Sequence, residues 1–240
     1  NSHPAIIEPD EFDAVQIEVE RRKKLGRPVS CQSPFSAKIV CGECGGFYGS
    51  KVWGSNSQYR RTIWRCNEKY KADIPCKTPH LTEEDIKQRF LVAFNVLMGS
   101  RDEMLANCRL AQQVLYDCTA IDDEIAELQR EIEVVAELIR KSIYENAHVA
   151  VNQDEFNERH SGYMERHQNA AERIASLETQ RRERQNKLII LDKYIKEIES
   201  RPLVIDEFDD KLWIAVIEKV IVLVDDRLDF YFKDGSYVKG

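Results

Sequence analysis

The sequence predicts an α+β fold: a small β module with flanking helices, interrupted by a long inserted antiparallel coiled-coil hairpin. Three observations predict it. Four cysteines, Cys41, Cys44, Cys66 and Cys76, bracket a β-rich interval. Beyond residue 118, two long stretches place apolar side chains alternately three and four residues apart, as a heptad seam requires. Near the C-terminus, three short apolar runs are separated by turn residues.

The cysteines come first in the argument. Cys41-x-x-Cys44 lies in Cys-Gly-Glu-Cys-Gly-Gly, and glycines at 42, 45 and 46 let the backbone wrap closely around two thiolates. Residues 47–53 and 59–66 are rich in aromatic and β-branched side chains and flank Gly-Ser-Asn-Ser, which reads as a hairpin. A tetrahedral zinc ion needs four soft ligands from two sharply turned loops at about 2.3 Å per Zn–S bond. The layout is that of a zinc ribbon, with one structural Zn2+ on Cys41, Cys44, Cys66 and Cys76. The second pair, Cys66-x9-Cys76, is wider than a second Cys-x-x-Cys. Four reduced core thiols, or a redox pair at Cys41 and Cys44, are the alternatives; a redox pair is expected to open a helix after a strand.

Charge is distributed unevenly. The chain of 240 residues has a net charge of -7 and 32% charged residues, which suits a small cored module joined to solvated helices. Residues 21–80 hold thirteen basic and three acidic side chains, a balance of +10 that leaves -17 on the remainder. A basic segment coincident with the cysteines suits a phosphate backbone, which the acidic remainder repels. Duplex DNA contact is expected from Lys51, Arg60, Arg61, Arg65, Lys69 and Lys71 on the ribbon, and from Arg21, Arg22, Lys23, Lys24 and Arg27 before it. A two-stranded ribbon fits the major groove, with Arg60 and Arg61 as the expected base readers. The odd total of seven cysteines, without a leader pattern, points to a reducing cytoplasm. The longest apolar run, 220–224, is too short to span a bilayer.

In order, residues 1–34 read as a leading helix and basic linker. The helix starts near Pro9 and stops before Gly26 and Pro28, and 29–35 is linker with Cys31 a plain thiol. Residues 35–102 form the ribbon module, in which Thr82-x-x-Asp85 opens a helix carrying Ile86, Phe90, Phe94 and Leu97. Residues 103–201 form the coiled coil. One arm carries Cys118, Ile121, Ile125, Leu128, Ile132, Val135 and Ile139; the other runs from Phe156 through Ile174, Leu177 and Leu188 to Ile198. With the turn centred near His148, reflection pairs Ile121 with Ile174 and Cys118 with Leu177, and sets Arg181 and Arg184 opposite Val114 and Ala111. Tyr144, His148, Val149, Val151 and Phe156 at the tip form an expected self-association surface; the alternative is that the valines cap the seam beside Ile143. Residues 202–240 read as a helix over 206–218 and strands over 220–224, 228–232 and 237–238 that return to the ribbon module.

These pieces resemble the C-terminal part of the large serine recombinases, the serine integrases and transposon resolvases of phages and mobile elements. The resemblance rests on His-Pro-Ala-Ile-Ile at 3–7, the helix ending in Arg-Arg-Lys-Lys, the four-cysteine ribbon, Thr82-Glu83-Glu84-Asp85-Ile86, the heptad hairpin and Lys233-Asp234-Gly235. It implies a fragment that binds double-stranded attachment-site DNA and regulates synapsis without cutting, because that family's serine domain is not in this sequence. It leaves room for a directionality factor as a further partner. From the residues themselves, no Gly-rich phosphate loop, nucleophile elbow or His-Glu-x-x-His helix appears. The competing expectation is a zinc-stabilised structural adaptor that binds protein partners through its coiled coil and no DNA.

Overall fold

The computed structural model describes residues 9–25, 33–71, 75–150 and 152–240. It is α+β and divides into two compact units, Asn1–Leu110 with Ile189–Gly240, and Ala111–Leu188. Among the expected site residues, Arg27 and Val151 lie outside the described residues, as does Cys31.

The first unit is built around a four-stranded sheet. β1 (Ile39–Cys41), β4 (Ile217–Val222), β5 (Leu228–Phe232) and β6 (Tyr237–Lys239) lie side by side in that order. β1 and β4 are parallel, with Ile39 opposite Val220 and Cys41 opposite Val222, so the C-terminal strands do return to the cysteine-bearing segment. A separate antiparallel ribbon consists of β2 (Tyr48–Trp53) and β3 (Arg61–Cys66), matching the expected hairpin. Two C-terminal boundaries differ from expectation. α6 covers only Asp210–Val216, because the Asp209 carboxylate caps it by accepting from the backbone N–H groups of Lys211 (2.7 Å) and Leu212 (3.4 Å). At its other end, Ile217 is already extended and opens β4, burying Ile217, Val220 and Val222.

Helices cover this core. α1 (Pro9–Lys24) precedes the sheet, and α2 (Glu83–Met98) opens with the expected reciprocal box between Thr82 and Asp85. α2 buries Ile86, Phe90, Phe94 and Leu97 as its periodicity requires. Phe35, expected in a linker, is instead fully buried, its ring edge-on to Trp64 at 5.7 Å and to Trp213 at 5.0 Å. The start of α3 (Arg101–Val114) lies beside the end of α5 (Gln153–Ser200). Arg101 donates to the Glu199 carbonyl, Arg109 pairs with the Glu199 carboxylate, and the buried Tyr194 hydroxyl meets the Met104 sulfur.

In the second unit α4 (Thr119–His148) and α5 run antiparallel. Ion pairs join Asp122 with Arg181, Glu124 with Arg173 and Glu131 with Arg166. Ile121, Ile125 and Leu177 form its buried cluster, with Leu128 and Ile174 against it. The register agrees with simple reflection where Ile174 packs against the Ile121 cluster, and departs from it at the start of α4. Cys118 precedes α4 as its N-cap instead of facing Leu177, since the chain breaks from helix after Val114. Arg181 and Arg184 reach Asp122 and the Asp117 carbonyl, not Val114 and Ala111, because the acceptors at the start of α4 satisfy them. Ser142 occupies the buried position toward the tip while Ile143 is exposed, and Leu188 is also exposed. α4 ends at His148 and α5 begins at Gln153, with the Asn152 side chain accepting from the Asp154 N–H at 3.0 Å.

Lys38 is 1% exposed, and its ammonium donates to the Ile217 carbonyl at 2.5 Å, where α6 gives way to β4. Burial, followed by the nearby Lys233 cation, lowers it to about 7. Between that value and the unfolded value of about 10.4, the unfolded chain holds a proton that the folded chain lacks, so stability rises with pH. Urea unfolding from pH 7 to 9.5 should therefore show wild type gaining stability relative to Lys38→Met as pH increases. A pH-independent difference between the two would refute this.

Candidate metal centre and nucleic-acid interface

The four cysteines converge at one point of the first unit. Cys41 ends β1, Cys66 ends β3, and Cys44 and Cys76 lie in the loops that follow each strand. Their sulfur atoms all lie within 4.8 Å of one another, and Cys44 and Cys66 approach to 3.4 Å. Tetrahedral zinc with bonds of about 2.3 Å sets its sulfurs about 3.8 Å apart, so these residues fit the ion. Four thiolates would leave no open coordination position, and the ion's contribution would be structural.

The backbone is shaped for this convergence. Cys41 N–H donates to the Gly46 carbonyl at 2.8 Å, and Gly45 N–H donates to the Cys41 carbonyl at 2.9 Å. Gly45 holds φ +70, the left-handed region in which a side chain is strained. Gly42 N–H donates to the Val222 carbonyl at 2.9 Å, and a Cβ there would stand 2.8 Å from Leu223 and 2.9 Å from that carbonyl. From the other loop, Lys77 N–H donates to the Glu43 carboxylate at 2.6 Å, which ties the two cysteine loops together.

The thiols differ in electrostatics. Burial opposes ionisation of Cys41, but hydrogen bonds from Thr78 and the backbone of Cys44 and Glu43 outweigh it and bring the thiol down to about 7. Its sulfur lies 3.3 Å from the Thr78 hydroxyl, whose residue is fully buried. Burial, then the hydrogen bond with Cys44, raises Cys66. The hydrogen bond with Cys44, then burial, raises Cys76 to about 11. The lowered Cys41 beside the raised Cys66 and Cys76 is an arrangement that a dication's charge would resolve.

On the ribbon, the pairing sets Gly49 opposite Arg65, Lys51 opposite Ile63 and Trp53 opposite Arg61. Alternation places these on one face, on which Ile63 is buried and Arg65 half-buried; on the other face Tyr48, Trp64 and Cys66 are buried and Ser50, Val52 and Thr62 exposed. Lys51, Arg60 and Arg61 are exposed, and so are Trp53 (49%), Tyr59 and Tyr70. The half-buried Arg65 guanidinium lies 4.9 Å from the centre of the Tyr70 ring. His80, beside Trp53 at 5.8 Å, is lowered by burial and then by Lys69 and Arg65.

The other expected contact residues are placed differently. Lys69 donates to the Thr78 carbonyl at 2.5 Å and so braces the metal loop, and Lys71 pairs with Glu68 at 3.1 Å. Arg21 forks onto both Glu18 oxygens at 2.8 Å, and Arg22 donates to the same carboxylate at 2.6 Å. Burial works against that carboxylate's charge, but the two arginines prevail and hold it near 2. Lys23 and Lys24 are exposed at the end of α1. At the hairpin tip, Tyr144 stacks on His148 at 4.1 Å, Phe156 stacks on His160 at 5.5 Å, and Tyr144 (64%) and Val149 (61%) are exposed. Sequence reasoning missed Trp53, Tyr70 and His80; strand alternation could have put Trp53 beside Lys51, but no periodicity covers Tyr70 in its loop.

Among the described residues, no helix is long and apolar enough to cross a membrane. No curated protein and no solved structure was found to match the chain. Residues 34–95 match the family described as the recombinase zinc beta ribbon domain, a segment that holds β1 to β3, all four cysteines and most of α2. The chain thus carries a recombinase zinc beta ribbon domain, and with it a region related to the C-terminal part of serine recombinases.

Proposed function

We propose that this chain is the DNA-binding and synapsis-regulating C-terminal part of a site-specific DNA recombinase of a phage or mobile element. The observation that carries the reading is the set of cations and rings on the ribbon, where exposed Lys51, Trp53 and Arg61 share a face and Arg65 on that face lies against exposed Tyr70, beside the four-cysteine cluster. Cations interleaved with aromatic rings suit a polyanion with apolar base edges. Zinc on Cys41, Cys44, Cys66 and Cys76 orders the ribbon, which docks on duplex attachment-site DNA. The helices of the second unit form a coiled-coil hairpin. A serine domain elsewhere in the longer polypeptide performs the cutting, in the cytoplasm of the host cell.

Three outcomes are expected. Purified protein should hold one zinc per chain, and Cys41→Ser, Cys44→Ser, Cys66→Ser or Cys76→Ser should each lose metal and ribbon folding together, whereas Cys118→Ser should lose neither. Metal content by mass spectrometry beside circular dichroism measures this, and zinc retained at full stoichiometry in any of the four would count against the site.

Duplex binding should weaken as salt rises, and replacing Arg60 and Arg61 by Ala should reduce the logarithmic salt slope by about 0.9 for each phosphate that the variant no longer neutralises. Absence of salt-dependent duplex binding would favour the adaptor.

At the hairpin tip, exposed Ile143, Tyr144 and Val149 offer a small apolar surface to a second copy, too small to associate until DNA raises the local concentration. Replacing Val149 and Val151 by Asp should abolish synapsis of two DNA sites by the full-length recombinase while helicity is kept. Unaltered synapsis would leave the tip as packing alone.

A further inference from the structure

We infer that Arg65 is the specificity-determining residue of the ribbon, held by Tyr70 in position to read a guanine edge in the major groove, an inference that rests on the DNA-binding reading above. An arginine reads guanine by donating two parallel hydrogen bonds to O6 and N7, which demands one orientation of a planar fork. Arg65 has the means to hold one. It rises from β3 opposite Gly49, which contributes no side chain, and its guanidinium lies 4.9 Å from the Tyr70 ring centre. A Cβ at position 49 would stand 2.5 Å from the Asn67 side-chain oxygen, so the Asn67 amide occupies the place that a side chain opposite Arg65 would take. Among the described residues, no carboxylate pairs with Arg65, which leaves its fork for an outside acceptor. Arg60 and Arg61 are exposed, and among the described residues no ring stacks on them, which suits adaptable phosphate contact rather than base reading. Strand alternation sets the half-buried Arg65 on the same face as exposed Lys51 and Arg61, so phosphate contacts can fix the register while Arg65 reads.

The test selects duplexes from a randomised library with the zinc-bound full chain, then compares affinity for a selected and a random duplex. Arg65→Lys keeps the charge and loses the fork. It should weaken binding to the selected duplex by about 5- to 150-fold, relax one G·C position, and leave the random duplex and the salt slope unchanged. Tyr70→Leu should give a smaller loss at the same position, and Arg61→Lys should leave that position's discrimination intact. Zinc content is measured on every variant to certify the fold. An unchanged ratio of selected to random affinity in Arg65→Lys overturns the inference, as does equal loss on both duplexes. Wild type that binds all duplexes alike overturns the inference while the DNA-binding reading stands; wild type that binds none removes that reading and the inference together.

Discussion

The parallel pairing of β1 with β4 is the constraint on which the first unit depends. Cys41, the first thiol of the cluster, is the last residue of β1 and faces Val222. The next residue, Gly42, hydrogen-bonds the Val222 carbonyl at a separation that no side chain would allow. A strand near the C-terminus therefore seats the metal loop. Two further contacts cross the same seam: Lys38 to the Ile217 carbonyl, and the Trp213 indole N–H to the Pro34 carbonyl at 3.0 Å. Parallel strands need a crossover connection, and here the crossover contains α2, α3 and an entire helical pair. Closure entropy grows only logarithmically with the length spanned, so the long connection costs little more than a short one. The contacts of Arg101 and Arg109 with Glu199 then hold the outgoing and returning helices side by side within the first unit.

That dependence explains which features were legible in the sequence. The cysteine spacing, the ribbon hairpin, the Thr82 box and the heptad alternation all act over a few residues, and the structure has the hairpin and the box where the sequence sets them. β1 was not legible, because three residues carry no period and become a strand only through Val220 to Val222. The same holds for Phe35, whose burial is decided by Trp64 and Trp213 from distant parts of the chain. The length of α6 was misread because amphipathic spacing continues through Ile217, and tertiary pairing with Phe232 overrides it. In the helical pair the heptad was clear but the register was not. Reflection about a turn fixes pairing only if the turn is placed to the residue: the Glu124–Arg173 and Glu131–Arg166 ion pairs are centred on His148 to within a residue, whereas Asp122–Arg181 is offset toward a later centre.

Buried polar atoms without a partner occur in both units. Ser142 is buried with its hydroxyl unpartnered, and the buried His160 Nδ1 is likewise unpartnered. Each forgoes a hydrogen bond that water would supply, which costs about 1–3 kcal/mol and makes the tip-proximal part of the pair weaker than the Ile121–Leu177 cluster. In the first unit Asp229 Oδ1, His80 Nε2 and Arg101 Nε are also buried without a partner, whereas the buried Lys38 amine finds a backbone acceptor and Lys233 donates to the Ile214 carbonyl at 2.8 Å. Both serve carbonyls near the end of α6, where the helix's own N–H donors run out.

The candidate interface is consequently narrower than the charge balance of residues 21–80 implies. Several of those cations already have structural duties: Lys38 closes the sheet seam, Lys69 holds the Thr78 loop that contacts Cys41, and Arg21 and Arg22 share Glu18. A cation engaged by a partly buried carboxylate must lose that partner before it can neutralise a phosphate, so its net contribution to binding is reduced. Lys51, Arg60 and Arg61 carry no such cost, because they are exposed and none of them has an ion-pair partner among the described residues. They lie on the ribbon, which Cys66 at the end of β3 links to the metal cluster. The cations free to engage phosphate are therefore those whose positions depend most directly on the four thiols, and metal occupancy and DNA affinity should be coupled through β2 and β3 rather than through α1.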